Sequence, residues 1–350
     1  MLAVTSLLFS TIAFGWGERG HDLLTRIAAR SLNVKEGAQL SRLLLEKEHM
    51  LGHYANVPDI VWRQNSDLSQ VNPPTHFIDL EFFTTINQRK SAKHMPRSLE
   101  ELKARIQANC SKDNKRPCAA PRRSMQQKII KTGLAPFRVE QLALLVEDGF
   151  RKIKKLQENR FEERAAYVEE IDKTLVYMGL LSHFVADLAN PNHTTMNYDG
   201  QLTGNHGIHA YFETIVMSSY PLGVDAEIMR YAASLNILSR LGVAKKSSYL
   251  DYAWALTVDS FGLNGKLFHL DRTHAQIGRA EFVGVTRKPA SQVKDFFKPL
   301  IRERLAVGAR TLAEIWTQAW IRGGRPHLKN YQSYSYNVKP EFIPAPYSDD

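Results

Sequence analysis

Apolar residues recur three and four positions apart along most of this chain. This spacing is that of an amphipathic α-helix, which buries one stripe of its surface. The repeat runs through 21–32, 35–51, 139–157, 163–189, 224–241, 247–261, 291–307 and 308–321. Strand-like alternation is scarce, so we expect an all-α fold, a multi-helix bundle whose metal ligands and other functional residues face inward from several helices.

One segment, 87–136, interrupts the helical pattern. It is rich in Lys, Arg and Pro, and we expect a basic, loop-rich insertion with one helix at 98–109. Its cysteines, Cys110 and Cys118, are the only two in the chain. Two cysteines this close in an exported protein favour one disulfide around a basic loop. A zinc site needs about four ligands, and this pair has no obvious further ligands nearby.

The length of 350 residues fits one large domain or two small ones. We expect one helical domain over 16–321, followed at 322–350 by an extended surface tail rich in Gly, Pro, Tyr and Ser. The net charge of +10 suits an anionic partner, such as a phosphate ester, a nucleic acid or an acidic lipid surface. Solubility alone would also explain this charge.

The N-terminal residues 1–15 carry no charge. They are too few for a transmembrane helix, which needs about 20 apolar residues, but they have the length of a signal-peptide core. Ala13 and Gly15 supply the small residues that signal peptidase recognises. We therefore expect cleavage before Trp16 and a secreted or periplasmic protein. No Lys or Arg precedes the apolar run, and a buried N-terminal helix is the alternative.

Two His-x-x-x-acid pairs are the strongest chemical signal. His183 and Asp187 lie four residues apart and share one helix face, and His209 and Glu213 repeat the spacing. His193 lies between the two pairs. A lone pair of this kind is usually a surface contact, but the flanking sequence LLSHFVADLA indicates a buried face, where an unpaired carboxylate is costly. Imidazole and carboxylate ligands suit zinc, so we expect a site for more than one ion.

The segments WGERGH, VPDIVW, THFIDL, HFVADLANPNH and HAYFET follow one another along the chain. Their candidate ligands are, in order, Trp16, His21, Asp59, His76, His183, Asp187, His193, His209 and Glu213. This order resembles the superfamily of zinc-dependent phospholipases C and fungal-type single-strand nucleases, which are helical enzymes with three zinc ions. The resemblance covers 16–80 and 175–220.

The resemblance implies three ligand sets. One zinc ion would take Asp59, His76, His183 and Asp187. A second would take the amino and carbonyl groups of Trp16, together with His21 and the bridging Asp187. A third would take His193, His209 and Glu213. Zinc lowers the pKa of a bound water to about 7, and Asp59 could also accept a proton from this water, which makes it the candidate catalytic residue.

The substrate expected from the resemblance is a phosphodiester. Glu213 in place of the usual nuclease Asp, and the short stretch between His193 and His209, favour a phospholipase C that forms diacylglycerol and a phosphorylated head group. The alternative is a nuclease that cleaves RNA or single-stranded DNA, with Phe77 and Asp79 on a base. The nuclease-type phosphate-binding Arg follows its Asp by three residues, whereas Arg63 follows Asp59 by four.

A third hypothesis belongs to a different class, a zinc-stabilised binding protein without catalysis. The large ligand set argues against it, because structural zinc sites are usually closed and mononuclear. The expected partners are therefore a phospholipid or a single-stranded nucleic acid, with peripheral membrane contact through the basic surface. No protein partner is predicted.

Overall fold

The regular structure is helical throughout the described chain, which confirms the all-α prediction. The computed structural model describes residues 16–32, 34–110, 124–158, 164–278, 285–329, 331–333 and 336–345. Within these ranges there is no β-strand, although isolated bridges join Ile78 to Gly133 and Gln276 to Arg287. None of the described helices is both long and apolar enough to span a bilayer.

The α-helices are α1 Gly17–Arg30, α2 Val34–Glu46, α3 Glu48–Val57, α4 Leu99–Cys110, α5 Met125–Thr132, α6 Ala135–Glu158, α7 Arg164–Ala189, α8 Ile208–Ala210, α9 Val224–Ser234, α10 Ile237–Leu241, α11 Tyr249–Phe261, α12 Asn264–Leu270 and α13 Ala290–Arg322. Helices α3, α8 and α12 continue as π-helical turns, at Pro58–Trp62, Tyr211–Val216 and Asp271–Ala275. Short 3₁₀ turns at Pro73–His76 and Pro191–Thr194 also carry predicted ligands.

Helix α7 lies at the centre of the bundle. It packs against α1, α3, α6, α11 and α13. Every residue from Met178 to Ala189 is buried, so this half of the helix has no solvent-facing side. A helix that is buried all round is normally apolar all round. The polar ligands of this half therefore lie inside the bundle, away from water.

Three predicted helix boundaries are wrong. The segment 35–51 forms α2 and α3, separated by a one-residue turn at Lys47, through which the apolar spacing continues. The segment 224–241 forms α9 and α10, because Asn236 caps a new helix by accepting a hydrogen bond from Ser239 N. The segments 291–307 and 308–321 form the single helix α13, which runs through Gly308.

The segment 87–136 has more structure than predicted. The expected helix at 98–109 is present as α4, but α5 follows and begins with a capping box between Ser124 and Gln127. The apolar side chains of Leu102, Ile106 and Ile129 are buried in the core. A Ser followed three residues later by Gln is a helix-start signal, and it could have identified α5.

Two predictions concern residues outside the described ranges. Residues 1–15, the predicted signal peptide, lie outside them, and so does Cys118. The disulfide between Cys110 and Cys118 therefore stays a prediction, although Cys110 itself ends α4.

Beyond Arg322, which ends α13, the described part of the C-terminal tail is non-helical and packs against the domain. The indole of Trp62 donates to the carbonyl of Pro340 (2.9 Å), and the ring of Phe342 meets the same indole edge to face. Ala345 is buried. The tail thus covers the π-helical turn after α3.

Gly308 allows α13 to approach two other helices closely. A Cβ atom there would lie 2.7 Å from Leu24 Cδ1 and 2.8 Å from Ala189 Cβ. We expect Gly308→Ala to lower the free energy of unfolding by about 1–3 kcal/mol through overpacking, measured by urea denaturation. Gly265→Ala is the matched control, because nothing lies within 4 Å of a Cβ there. Equal stability of both variants would contradict this account.

Candidate metal centre

All nine predicted ligand residues are buried and lie in one region of the bundle. They come from α1, the π-helical turn after α3, α7, the two 3₁₀ turns and the helical segment that starts with α8. They are Trp16, His21, Asp59, His76, His183, Asp187, His193, His209 and Glu213. Eight of them, all except Trp16, form three groups, each with ligand atoms within 4.8 Å of one another and each able to hold a metal ion.

The first group contains Asp59, His76 and His183. His183 Nε2 lies 2.9 Å from His76 Nδ1, and His76 Nδ1 lies 3.8 Å from Asp59 Oδ1. These atoms come from three separate segments of the chain, so the fold brings them together. The first group is therefore assembled from residues that lie far apart in the sequence.

The second group contains His21, His183 and Asp187. Asp187 Oδ1 lies 3.6 Å from His21 Nε2, while Asp187 Oδ2 lies 3.0 Å from His76 Nδ1 and 3.2 Å from His183 Nε2. The two carboxylate oxygens therefore face different groups. This is the geometry expected of a bridging carboxylate.

Trp16 lies directly beside the second group. Its side chain is fully buried, and its indole donates to the carbonyl of Ala186 (2.8 Å), the neighbour of Asp187. Its ring packs against Phe212, and the residue itself precedes α1, the helix that carries His21. The start of α1 is thereby fixed against the ligand-bearing end of α7.

The third group contains His193, His209 and Glu213. Glu213 Oε2 lies 2.8 Å from His209 Nε2 and 3.6 Å from His193 Nε2, and it accepts a hydrogen bond from Asn190 Nδ2 (2.8 Å). His193 Nδ1 lies 3.8 Å from Asp187 Oδ1. The third group therefore adjoins the other two.

Several ligand atoms are buried without a hydrogen-bond partner among the described residues. They are His21 Nδ1, His21 Nε2, Asp187 Oδ1, His209 Nδ1 and Glu213 Oε1. Leaving such atoms unpaired in an apolar interior is costly. Because Asp187 Oδ1 and His21 Nε2 also face each other, a cation between them would satisfy both. The donor set thus fits bound metal ions.

Groups behind the ligands fix the orientation of their rings. His183 Nδ1 donates to the carbonyl of Ala55 (2.7 Å), and His193 Nδ1 donates to the carbonyl of His76 (2.8 Å). His76 Nε2 faces Asn72 Oδ1 at 3.2 Å. A ring nitrogen that donates to a carbonyl leaves the other nitrogen as the lone-pair donor, and such contacts typically orient metal-binding histidines.

Burial sets the protonation states of the ligands. It lowers the pKa of His21 to about 3 and that of His209 to about 4. Burial alone would raise the pKa of Asp187, but the imidazoles of His183 and His193 outweigh it and hold this pKa well below its usual value. Neutral imidazole and ionised carboxylate are the forms that bind metal ions.

Arg63 lies at the edge of the first group. Its Nη2 is 2.9 Å from Asp59 Oδ1, and its side chain is one-fifth exposed. The turn Pro58–Trp62 is π-helical, with Arg63 N bonded to Pro58 O. Residues four positions apart lie on the same side of a helical turn, so Arg63 lies back beside Asp59. The predicted phosphate-binding Arg is therefore beside the site despite its unusual spacing.

The predicted base-binding residues, Phe77 and Asp79, follow the 3₁₀ turn that ends at His76. Phe77 is half-buried. Asp79 is buried, and burial together with the nearby Glu81 raises its pKa well above the usual value. Asp79 is not part of any of the three metal-binding groups in the described chain.

Sequence inspection missed the groups that support the ligands. Asn190 precedes a proline and could have been noticed for its place between Asp187 and His193. Asn72 lies four residues before His76, which is a helical spacing in a segment without helical periodicity. The carbonyl of Ala55 carries no sequence signal, because every residue has a carbonyl.

No protein-family model matches the chain, and no curated protein matches it. The described chain is helical and contains three buried groups of His, Asp and Glu side chains that could hold metal ions.

Metal binding at the third group should release a proton. Burial raises the pKa of Glu213 to about 8, so this carboxyl is protonated at pH 7 without metal, while His209 is already neutral. We expect the affinity of the third group to rise about tenfold per pH unit below pH 8 and then level off.

Calorimetric zinc titrations in buffers of different ionisation enthalpy measure this proton release. Release should fall by about one proton between pH 7 and pH 9, and Glu213→Gln should remove this component. A release that is the same at both pH values would contradict the assignment.

Proposed function

We propose that the protein is a zinc-dependent phosphodiesterase of the phospholipase C and single-strand nuclease superfamily, with three ions in one centre. The observation that carries this proposal is the sharing of ligands. Asp187 directs one oxygen toward His21 and the other toward His76 and His183. Structural zinc sites are usually closed and separate, whereas ligand groups that share a carboxylate are typical of clustered catalytic metals.

Zinc suits this donor set, because imidazole and carboxylate ligands dominate and no described thiolate takes part. When bound, zinc would supply Lewis-acid activation of a water molecule and of the phosphate oxygens. Because the first group also uses His183, the second group has two side-chain ligands of its own, His21 and Asp187. The amino and carbonyl groups of Trp16 would complete it after export and cleavage before this residue, in a secreted or periplasmic protein.

Asp59 and Arg63 would act on the substrate. Asp59 would accept the proton of the attacking water while the water oxygen bonds to phosphorus. The bond from phosphorus to the leaving oxygen would then break, the leaving oxygen would take up a proton from solvent, and Asp59 would release its proton to solvent. The Arg63 guanidinium would bind the phosphate oxygens, for which its fork of N–H donors is suited. Burial lowers the pKa of His209 in the third group, and the charge of Arg63 lowers it further.

The favoured substrate is a phospholipid, which would be cleaved to diacylglycerol and a phosphorylated head group. The link from His193 to His209 is short, and it exposes two apolar side chains, those of Tyr198 (48%) and Leu202 (59%). Glu213 as the last ligand also favours this branch of the superfamily.

The second candidate substrate is single-stranded nucleic acid. It is favoured by the half-buried ring of Phe77 and by the raised pKa of Asp79. A stacked aromatic ring and a neutral carboxylic acid that donates a hydrogen bond would together hold a base.

The test offers both substrates to one preparation. The processed protein, loaded with zinc, is incubated with phosphatidylcholine vesicles and with single-stranded DNA. Release of phosphocholine without nucleotides supports the proposal. Nucleotides alone would replace the phospholipase by the nuclease. Turnover of neither, with zinc bound, would favour the non-catalytic binding protein.

Asp187→Asn should abolish activity, because it removes the carboxylate shared by two groups. Loss of a group behind a metal ligand costs about 10–100-fold, so loss of a shared ligand should cost at least about a hundredfold in kcat/KM and reduce the zinc content. Asp148→Asn, at an exposed position on α6, is the control. Near-normal turnover of Asp187→Asn would show that the assignment is wrong.

A chain that retains residues 1–15 should bind less zinc than the chain that begins at Trp16. An amide nitrogen is a poor ligand, whereas a free amine binds zinc, so the second group would stay incomplete. Elemental analysis of both forms measures this difference. A chain that begins at Gly15 is the matched control, because it loses the Trp16 amine without the bulk of the leader. Equal zinc content in all forms would contradict the role of Trp16.

A further inference from the structure

An exposed aromatic ring stands beside the third ligand group. Tyr198 is 48% exposed, and its ring meets that of His209 at a centroid distance of 5.8 Å, edge to face. It belongs to the link 195–207 between His193 and His209. Because this ring both contacts a predicted ligand and is open to solvent, a molecule bound at the third group would meet it.

The backbone on both sides of Tyr198 is fixed. Gln201 Nε2 donates to the carbonyl of Met196 (2.7 Å), and Gln201 Oε1 accepts from Asp199 N (3.0 Å). One side chain therefore holds the residues that lie before and after the ring. Asn197 adds hydrogen bonds to Leu202 N and to the hydroxyl of Thr203.

The same turn is connected directly to a metal-ligand residue. Asp199 accepts hydrogen bonds from His209 N (3.2 Å) and from Gly207 N (2.9 Å), so it caps the segment that carries His209 and Glu213. Gly207 has a φ of +87°, a conformation that favours glycine. The position of the Tyr198 ring is thus coupled to the position of His209.

A buried ion pair holds the far end of the link. Asp271, which is fully buried, binds Arg287 through two contacts of 2.6 and 2.9 Å and accepts a hydrogen bond from Asn205 Nδ2 (2.8 Å). Arg287 also donates to the carbonyls of Asn205 and His206. The link is fixed at both ends, so the ring of Tyr198 is presented rigidly.

We infer that Tyr198 is a specificity-determining residue that contacts the apolar part of the leaving group, an inference that rests on the proposed phospholipase activity. In a phosphoryl transfer the attacking and leaving oxygens are roughly in line. Attack from the side of Asp59 and Asp187 directs the leaving oxygen toward His193 and His209. The glycerol and the first carbons of its acyl chains then lie against the Tyr198 ring.

The experiment uses the zinc-loaded processed protein and dihexanoylphosphatidylcholine below its micelle-forming concentration. Tyr198→Ala should raise KM about tenfold, the cost of losing an apolar contact of this size, while kcat stays within about twofold and the zinc content is unchanged. Tyr198→Phe, which keeps the ring, should retain the wild-type KM. Tyr336→Ala is the matched control, because Tyr336 is similarly exposed (41%) and packs on Tyr54.

The outcomes separate the two claims. An unchanged KM in Tyr198→Ala, with phosphocholine still released, would overturn the role of Tyr198 and leave the proposed function intact. A fall in zinc content in Tyr198→Ala would overturn it as well, because it would show a structural effect on His209. If the wild-type protein cleaves only a single-stranded oligonucleotide, the phospholipase proposal fails and the acyl-group contact fails with it.

Discussion

Buried charge is the constraint on which the rest of this structure depends. Asp187 and Glu213 are both fully buried, close to a large core of apolar side chains. An ionised carboxylate in such surroundings is costly unless a cation or hydrogen bonds compensate it. The nearby histidines provide part of this compensation, but several ligand atoms still lack partners among the described residues. Metal ions would supply the remaining charge.

The fold is arranged around this requirement. Helix α7 carries His183 and Asp187 on a stretch that is buried on all sides, and the surrounding helices bring their own ligands to it. Helix α13 packs closely against α1 and α7, since Gly308 of α13 leaves room for Leu24 and Ala189. Carbonyl groups and asparagine side chains then fix the rings, so the ligand atoms face one another before any ion binds.

The sequence predicted the fold class, and it also indicated residues that the fold brings together in buried groups, for a physical reason. Helical periodicity is repeated many times, and His183 with Asp187 had to share one face of one helix. What it could not predict depends on three-dimensional context. The spacing of Asp59 and Arg63 looked unsuitable although the two side chains form an ion pair, and Gly308 looked like a boundary although it permits close packing. The supporting carbonyl of Ala55 has no sequence signature. The role of Tyr198 could not be predicted from the sequence, because it depends on a rigid turn held by the side chain of Gln201.

The most direct measurement is anomalous X-ray scattering at the zinc absorption edge, from crystals of the processed protein grown with zinc. We expect three anomalous peaks. One should lie among Asp59, His76 and His183, one between His21 and Asp187 next to the Trp16 amine, and one among His193, His209 and Glu213. Absence of anomalous density from these three positions, with zinc supplied in excess, would contradict the metal centre and every function proposed from it.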